Sequence, residues 1–458
     1  MIMDSARSDE LRARHVRRLH EHLPNAVARI DWRRDAVREH RVRSIRRLLR
    51  LAYDRSPWHR ERLVCAGVDV DAATPEDLAA LPPMTKSDLM ENFDDIVTDR
   101  RLTLVRCEQH LERRDDYLFD EYGVVASGGS SGLRGVFVYG WDAWACCYAS
   151  VIRFQERDWR SDPALRGVAR VTAVVGAAAS THLSAALGRT FSTSSEVRRS
   201  FAVTQPLSAI VRGLNELQPT ILMSYSSFLA HLVEESSVGR LQIAPRRVYG
   251  ISEPLVPGVR AAAESAWGTP VASGYGMSEG LFAGACGHGL HLPDDLCLTD
   301  LVDSEGRPVQ VGERANRIYL TNLYNDALPL VRYEVTDQLT QIGRTCACGS
   351  SFTRIADPLG RLEDEFVYGA VTVHPHVFSS VIGRYRGVRE YQVVQSERGA
   401  AVAIAGDHAV DVDSLRSELC AALSALGIDA PEISVGRRDA IPRQSSGKLK
   451  RFVALERR

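Results

Sequence analysis

The stretch PTILMSYSSFLAHLVEES, residues 219–236, sets a short apolar run directly before a helical pattern. An apolar run of that length, opened by a proline, reads as a buried strand, and the segment after it reads as an amphipathic helix. The same alternation recurs on both sides. VARVTAVVGA (168–177), RRVYGIS (246–252) and PVASGYG (270–276) read as strands, and LSAIVRGLNEL (207–217) and PGVRAAAESAW (257–267) as helices between them. Strands alternating with helices predict an α/β architecture with a largely parallel sheet. Upstream, residues 8–60 read as helices. TPEDLAALPPMTKSDLMENF (74–93) carries two helix starts, with Thr74 and Thr85 as N-caps, and WDAWACCYASVIRFQERDW (141–159) reads as a helix. From about residue 290 to 355 strand and turn signals dominate. DPLGRLEDE (357–365) is a polar junction, and the remaining residues have a strand and helix mixture of their own. The expected division is 1–360 and 361–458.

A chain of 458 residues predicts two or three domains. Hydrophobic residues make up 45% and charged residues 25%, as in ordinary soluble proteins, and the net charge of -1 points to neither nucleic acid nor a membrane surface. Arg33, Arg34, Arg46, Arg47 and Arg50 crowd the first sixty residues. Leu48, Leu49, Leu51 and Ala52 lie among them, so solvated faces of amphipathic helices are favoured over a nucleic-acid arm. Nine cysteines without a signal-peptide pattern do not form a secreted disulfide framework, and a cytoplasmic protein is expected.

VVASGGSSGLRGVFVYG (124–140) raises the question of a ligand. Gly128, Gly129, Gly132 and Gly135 let a backbone approach a ligand closely, and Ser127, Ser130 and Ser131 add hydroxyls. Converging amide N–H groups suit phosphate, although a glycine-rich hairpin without a ligand has the same composition.

Four further stretches join this loop in order: GYGMSEG (274–280), PLVRYEVTDQ (329–338), GRLEDE (360–365) and PRQSSGKLKR (442–451). Together the five resemble the adenylate-forming superfamily of acyl-CoA synthetases, peptide-synthetase adenylation domains and luciferase-like enzymes. YDRSPWHRERL (53–63), LPPMTKSDL (81–89), ISEPLVPGVR (251–260) and TNLYNDALPLVRYE (321–334) resemble its phenylacetate–CoA ligase branch. The resemblance spans residues 45–451. It implies a large multi-sheet α/β N-terminal domain that binds ATP and substrate, followed by a small mobile α+β C-terminal lid.

The resemblance also implies site residues. Ser127, Gly128, Ser130, Ser131, Gly132 and Arg134 would cradle the β- and γ-phosphates of ATP; serines and Arg134 stand where the family usually has threonines and a lysine, which keeps donors and charge. Tyr275 would stack on adenine, with Gly276 beside it. Glu279 would hold Mg²⁺, with Ser278 in a threonine's usual place. Asp337 would accept both ribose hydroxyls, as a carboxylate can. Arg361 would contact ribose or phosphate, Glu253 would line the adenine pocket, and Glu363 would sit at the hinge. Lys448, preferred over Lys450 because it follows Gly447, would bridge carboxylate and α-phosphate. His182, Ser224, Tyr225, Ser252, Gly274 and Met277 are candidates to line the acid pocket, and each also suits ordinary packing.

ACGHGLH (285–291) and CACG (346–349) bring thiols and imidazoles into two short clusters. Cys286, His291, Cys346 and Cys348 suit a structural zinc ion, with His288 as the alternative imidazole and reduced thiols beside surface histidines as the competing reading. The branch often carries a similar arrangement. Cys146 and Cys147 read as core.

The branch favours aryl acids, so an aromatic carboxylate is the expected substrate. Its acceptor is open between coenzyme A, a carrier-protein thiol and an amine, and a homodimer is compatible with the sequence. Three other readings stay open: adenylation of an unusual oxyanion such as nitrite in specialised metabolism, transfer of AMP itself, and a silent nucleotide-binding relative. Glu279, Asp337, Arg361 and Lys448 together argue against silence.

Overall fold

The computed structural model describes the chain except residues 1–4, 114, 128–134, 177–182, 192–196, 204, 359–363, 370, 374, 383–384, 386–387, 407–408, 444–448 and 456–458. Two compact units result. One comprises Met1–Val168, Ala179–Ser194 and Tyr275–Ala356; the other comprises Ala169–Ala178, Ser195–Gly274 and Asp357–Arg458.

The second unit holds the alternation legible in the sequence. Its strands run parallel in the order Val271–Gly276, Arg247–Ile251, Ile221–Tyr225, Val171–Gly176, Val197–Ala202. Helices Leu207–Leu217, Ser226–Ser237 and Pro257–Trp267 make the crossovers. Pro257 opens the last of these, where its missing N–H costs nothing, and Gly268 closes it at φ +61. Leu222, Leu229, Leu232 and Val248 are buried between sheet and helices. Residues from 366 onward add a two-stranded sheet, Phe366–Tyr368 and Val371–Val373, and a four-stranded sheet, Glu432–Arg437, Gly399–Gly406, Val388–Ser396, Phe452–Val453, around a core that includes Phe366, Phe378, Leu415 and Phe452. The helix Val412–Ser424 starts at Asp411, whose side chain accepts from the N–H groups of Asp413 and Ser414.

In the first unit Gly123–Ala126 and Val136–Tyr139 pair antiparallel, the predicted strands on either side of the glycine loop. Helix Trp141–Ser161 follows and buries Trp144, Arg153 and Phe154. Thr85 caps helix Lys86–Glu91 through a reciprocal box with Asp88. Thr74 departs from expectation: its N–H and Oγ1 both reach Asp77, and only a 3₁₀ turn, Glu76–Ala80, follows, because Pro82 and Pro83 come too soon for an α-helix.

Several N-terminal arginines hold main chain and carboxylates of this unit. Arg46 donates to the carbonyls of Ala72 and Ala73, Arg50 pairs with Asp71, and Arg47 pairs with Asp326 while donating to Leu323 O. Arg62 donates to Val331 O and Pro82 O, and His59 Nε2 to Pro329 O. The stretches around residues 55, 82 and 330, separate in sequence, therefore meet; Met84 pairs with Tyr333, with its N–H on Arg332 O and its O accepting from Glu334 N–H.

Among the buried histidines of this unit, His15 and His59 are held as neutral rings. His15 Nε2 lies 2.9 Å from Trp141 O and so carries the proton, while Nδ1 accepts from the Tyr117 hydroxyl at 2.8 Å. Burial pushes His15 down to about 4; burial, then the charge of Arg62, pushes His59 down to about 3. In the unfolded chain both take a proton near pH 6.5. The unfolded state thus binds more protons, and this stability is fully present above about pH 6.5 and falls on acidification, by up to about 1.4 kcal/mol per pH unit for each ring. Melting temperatures should fall steadily from pH 6.5 to 4.5; a flat profile there would show that both rings titrate normally.

Candidate active site

The strand Val271–Gly276 ends in a turn in which Met277 N–H donates to Leu281 O and Gly280 N–H to Met277 O. The next three carbonyls are each held by a side chain. Tyr139 donates its hydroxyl to Ser278 O at 2.6 Å, Asn322 Nδ2 donates to Glu279 O at 3.0 Å, and the Tyr324 hydroxyl donates to Gly280 O at 2.7 Å. Burial keeps both phenols well above the usual tyrosine range, so both remain donors at neutral pH. Asn322 is fully buried, and its Oδ1 accepts from the N–H groups of Tyr324 and Asn325. Gly280 sits at φ +93, and a Cβ there would stand 2.6 Å from the Tyr324 hydroxyl oxygen, so only glycine lets these donors close in. The result is a buried Glu279 on an immobilised main chain.

Tyr275, four residues earlier, donates its hydroxyl to Asp337 Oδ2 at 3.0 Å. Asp337 follows the strand Tyr333–Val335, which is fixed by its pairing with Ile318–Leu320 and by Arg332, whose guanidinium caps the carbonyls of Leu78 and Leu81. The structure thus joins the residues expected at adenine and at ribose, and Glu279 lies on the same strand and turn as Tyr275. Gly276 is exposed at the strand end, where a Cβ would run into the Phe282 ring. Ser278 and Met277 are half-buried in the turn.

At the glycine loop, Ser127 N–H donates to Gly135 O and Gly135 N–H to Ser127 Oγ, both at 2.8 Å, closing the neck between the paired strands. Gly128, Ser130, Ser131, Gly132 and Arg134, which complete the expected phosphate cradle, lie outside the described residues, as do His182, Arg361, Glu363 and Lys448. In the second unit Tyr225 is buried with its ring against Gly176, and Gly274 lies beside Ile251. The Glu253 carboxylate accepts the main-chain N–H groups of Ser227 and Leu449, both at 3.0 Å.

The cysteine–histidine clusters converge. The hairpin Phe282–Cys286 and Gly289–His291 presents Cys286 and His291, and the turn at 346–349 presents Cys346 and Cys348. Their four ligand atoms all lie within 4.8 Å of one another. Cys286 Sγ is 3.8 Å from Cys346 Sγ and 3.3 Å from His291 Nε2, and Cys348 Sγ is 3.4 Å from that nitrogen. A tetrahedron with metal–sulfur bonds of about 2.3 Å has a sulfur–sulfur edge of about 3.8 Å. His291 Nδ1 faces Phe352 O at 3.3 Å, which places the proton there and leaves Nε2 free as a ligand. His288 is exposed and contributes only its main-chain N–H, to Cys286 Sγ, so the imidazole in the cluster is that of His291. Burial pushes the Cys286 thiol up to about 12 and His291 down to about 4; a cation among these atoms would reverse the first and release protons.

The roles of Asn322, Tyr324 and Tyr139 are not evident from the motifs TNLYND and VFVYG that contain them. The available signal was an asparagine at the end of an otherwise apolar strand, where a buried amide needs partners.

No protein-family model matches the chain. It is similar to the phenylacetate–coenzyme A ligase of Thermus thermophilus, 23% identical over 398 residues that cover 80% of each chain. To the phenylacetate–coenzyme A ligase of Pseudomonas putida it is 26% identical over 359 residues, 74% of each chain. Among solved structures, 2-hydroxyisobutyryl-CoA ligase in the postadenylation state with R3-HIB-AMP superposes with a TM-score of 0.71, at 17% identity, over 91% of this chain and 89% of that one.

Two outcomes follow from the geometry. Asn322→Ala orphans Glu279 O and two main-chain N–H groups and should lower unfolding stability by about 2 kcal/mol or more, read by urea denaturation. Native mass spectrometry should find one zinc ion per chain that Cys286→Ser loses, and zinc added to stripped protein in weak buffer should release protons; unchanged pH on saturation would count against thiolate ligation.

Proposed function

We propose that this chain, a member of the adenylate-forming superfamily of ligases, activates an aromatic carboxylate with ATP and Mg²⁺ and passes the acyl group to coenzyme A. The observation that carries the reading is the Tyr275–Asp337 hydrogen bond beside the immobilised Glu279. These are the aromatic face, the bidentate acceptor and the anionic ligand that one nucleotide needs, gathered within one unit. Similarity to two phenylacetate–coenzyme A ligases supports both the acid class and the acceptor.

In the first half-reaction a carboxylate oxygen attacks the α-phosphorus of ATP, the bond to the bridging oxygen breaks, and pyrophosphate leaves. Tyr275 stacks on the base, Asp337 accepts the ribose hydroxyls, and the loop from Ser127 to Arg134 binds the departing phosphates. Lys448 places its ammonium between the carboxylate and the α-phosphate, a compact positive charge where negative charge concentrates. Magnesium, when bound, neutralises charge on the phosphates, and Glu279 is the ligand proposed for it. In the second half-reaction the coenzyme A thiolate attacks the acyl carbonyl carbon and AMP leaves. The segment from 361 onward, including Glu363 at its start, is proposed to move between the two steps.

The fourfold Cys and His cluster is proposed to hold structural zinc. All four positions of a tetrahedron are filled by protein, which leaves no open place for substrate.

Pyrophosphate release with ATP and Mg²⁺ across aryl acids, amino-aryl acids and nitrite tests the reading, with mass spectrometry for adenylates. Release dependent on an aryl acid, followed by thioester when coenzyme A is added, is the expected result; release dependent on nitrite alone would overturn the acid class. Asp337→Ala should raise KM for ATP by about tenfold or more, the loss of about 1.4 kcal/mol of binding, with the melting temperature preserved.

A further inference from the structure

Arg354 stands between the two turns that carry the cysteine–histidine cluster. Its strand, Arg354–Ile355, is flanked on both sides: Arg354 pairs with His291 across one ladder and with Gly343 across the other. The hairpin with Cys286 and His291 belongs to the first neighbour, and the turn with Cys346 and Cys348 follows the second. The guanidinium reaches both. Nη1 donates to Thr345 O at 2.9 Å, the carbonyl immediately before Cys346. Nη2 donates to His288 O at 3.0 Å, a carbonyl between Cys286 and His291 in the chain. Its Nε is buried and has no acceptor among the described residues, so the two terminal nitrogens carry its side-chain bonding.

One planar fork thus joins two halves of a ligand set whose members Cys286 and Cys346 are 60 residues apart in sequence. The ladders leave it much to do. The pairing of Arg354–Ile355 with Gln341–Gly343 shifts register between Gln341 and Gly343, and Gly343 and Gly349, at φ +120 and +86, bracket the cysteine turn in conformations that most side chains avoid. Gathering four ligand atoms from such segments costs chain entropy. Neither donor of Arg354 is spent on a ligand atom, so the clamp meets that cost through main chain alone, before a cation arrives. Charge acts in the same direction. Three thiolates and a neutral imidazole around a divalent cation leave one net negative charge, and Arg354 is a cation beside it.

We propose that Arg354 is a positioning residue of the metal centre: by clamping Thr345 O and His288 O it prearranges Cys286, His291, Cys346 and Cys348 for a tetrahedral zinc ion. This rests on the reading of the cluster as a zinc site. Lysine keeps the charge but has no rigid fork to span both carbonyls, so it separates clamp from charge.

The test withdraws zinc from the loaded protein with a graded series of chelators at neutral pH. Arg354→Met should weaken zinc affinity about ten- to hundredfold, and Arg354→Lys should lie nearer to methionine than to wild type. In zinc-stripped protein, hydrogen exchange of Arg354→Met across residues 286–291 and 345–350 should quicken about tenfold or more relative to stripped wild type, whereas the loaded proteins should agree within about threefold. Asn322→Ala is the control for lost stability, since its defect lies at the 278–280 turn, and it should hold zinc within about threefold of wild type. Zinc affinity unchanged in Arg354→Met overturns the clamp, as does an equal weakening in Asn322→Ala, which would mark general loss of fold. Wild-type affinity in Arg354→Lys also overturns it and leaves charge as the residue's contribution. Wild-type protein that takes up no zinc overturns the metal reading and the proposal together, a result distinct from zinc uptake that Arg354→Met leaves unchanged.

Discussion

Three successive carbonyls, of Ser278, Glu279 and Gly280, fix the candidate site. A side chain is placed no better than the main chain that carries it, and an irregular turn lacks the ladder bonds that would hold it in a sheet. Here side-chain donors replace the ladder: Tyr139 from the end of one strand, and Asn322 and Tyr324 from the end of another. Each buried donor or acceptor left unpaired would cost about 1–3 kcal/mol, so the network persists only as a whole. Its roots spread outward. Asn322 N–H bonds Leu330 O, Asn325 Nδ2 bonds Val138 O, and the loop between them is held from the N-terminal helices by Arg47, His59 and Arg62. Arginines that look like a solvated face in sequence thus serve as donors to carbonyls that no strand satisfies.

The cysteine–histidine cluster is a second fixed point in the same unit, built on a different bond. Cys286 and His291 come from one hairpin; Cys346 and Cys348 come from a turn distant in sequence. The hairpin itself is short, and the strand Arg354–Ile355 that pairs beside it has two residues, so ladder bonds alone hold this region weakly. Phe154, from helix Trp141–Ser161, stacks on His291 at 5.3 Å, and Arg157 lies over the Phe154 ring. The ligand atoms have the spacing that one tetrahedral cation needs, and the cation proposed for them would reinforce a small core that includes Ile30, Val37 and Phe352.

Much of this was legible in the sequence. The strands and helices from 207 to 276 fall where apolar runs and helical patterns place them, because each is terminated by a proline, a glycine or a polar turn. Strand Val197–Ala202 was missed: Arg198 and Arg199 break its apolar run, as an edge strand permits, since one side has no neighbour to exclude water. Among site residues, Tyr275 and Asp337 were named separately from two motifs, and their 3.0 Å contact is a fact of the fold alone. The imidazole in the metal cluster was open between His288 and His291. Strand register decides it, because Gly284 pairs with His291 whereas Cys286 pairs with Gly289 and His288 stays in the exposed turn. Asn322, Tyr139 and Tyr324 escaped notice because their task is to hold main chain, and no residue pattern advertises a carbonyl in need of a donor.

Glu279 in the first unit and Leu449 in the second are held by attachments of different strength. Glu279 is proposed to be needed whenever nucleotide is bound, and its main chain is gripped by buried donors with a glycine cleared to admit them. Leu449 is tied by one N–H group to one carboxylate oxygen, with an arginine on each flank. A hydrogen bond to a charged acceptor contributes about 1.5–3 kcal/mol, enough to favour one placement of the chain by about ten- to hundredfold. A tie of that size is a single contact, whereas the grip on residues 278–280 would have to be broken at several buried atoms at once. Strength of attachment, read from burial and bond count, thus differs between a buried turn of the first unit and a singly tied segment of the second.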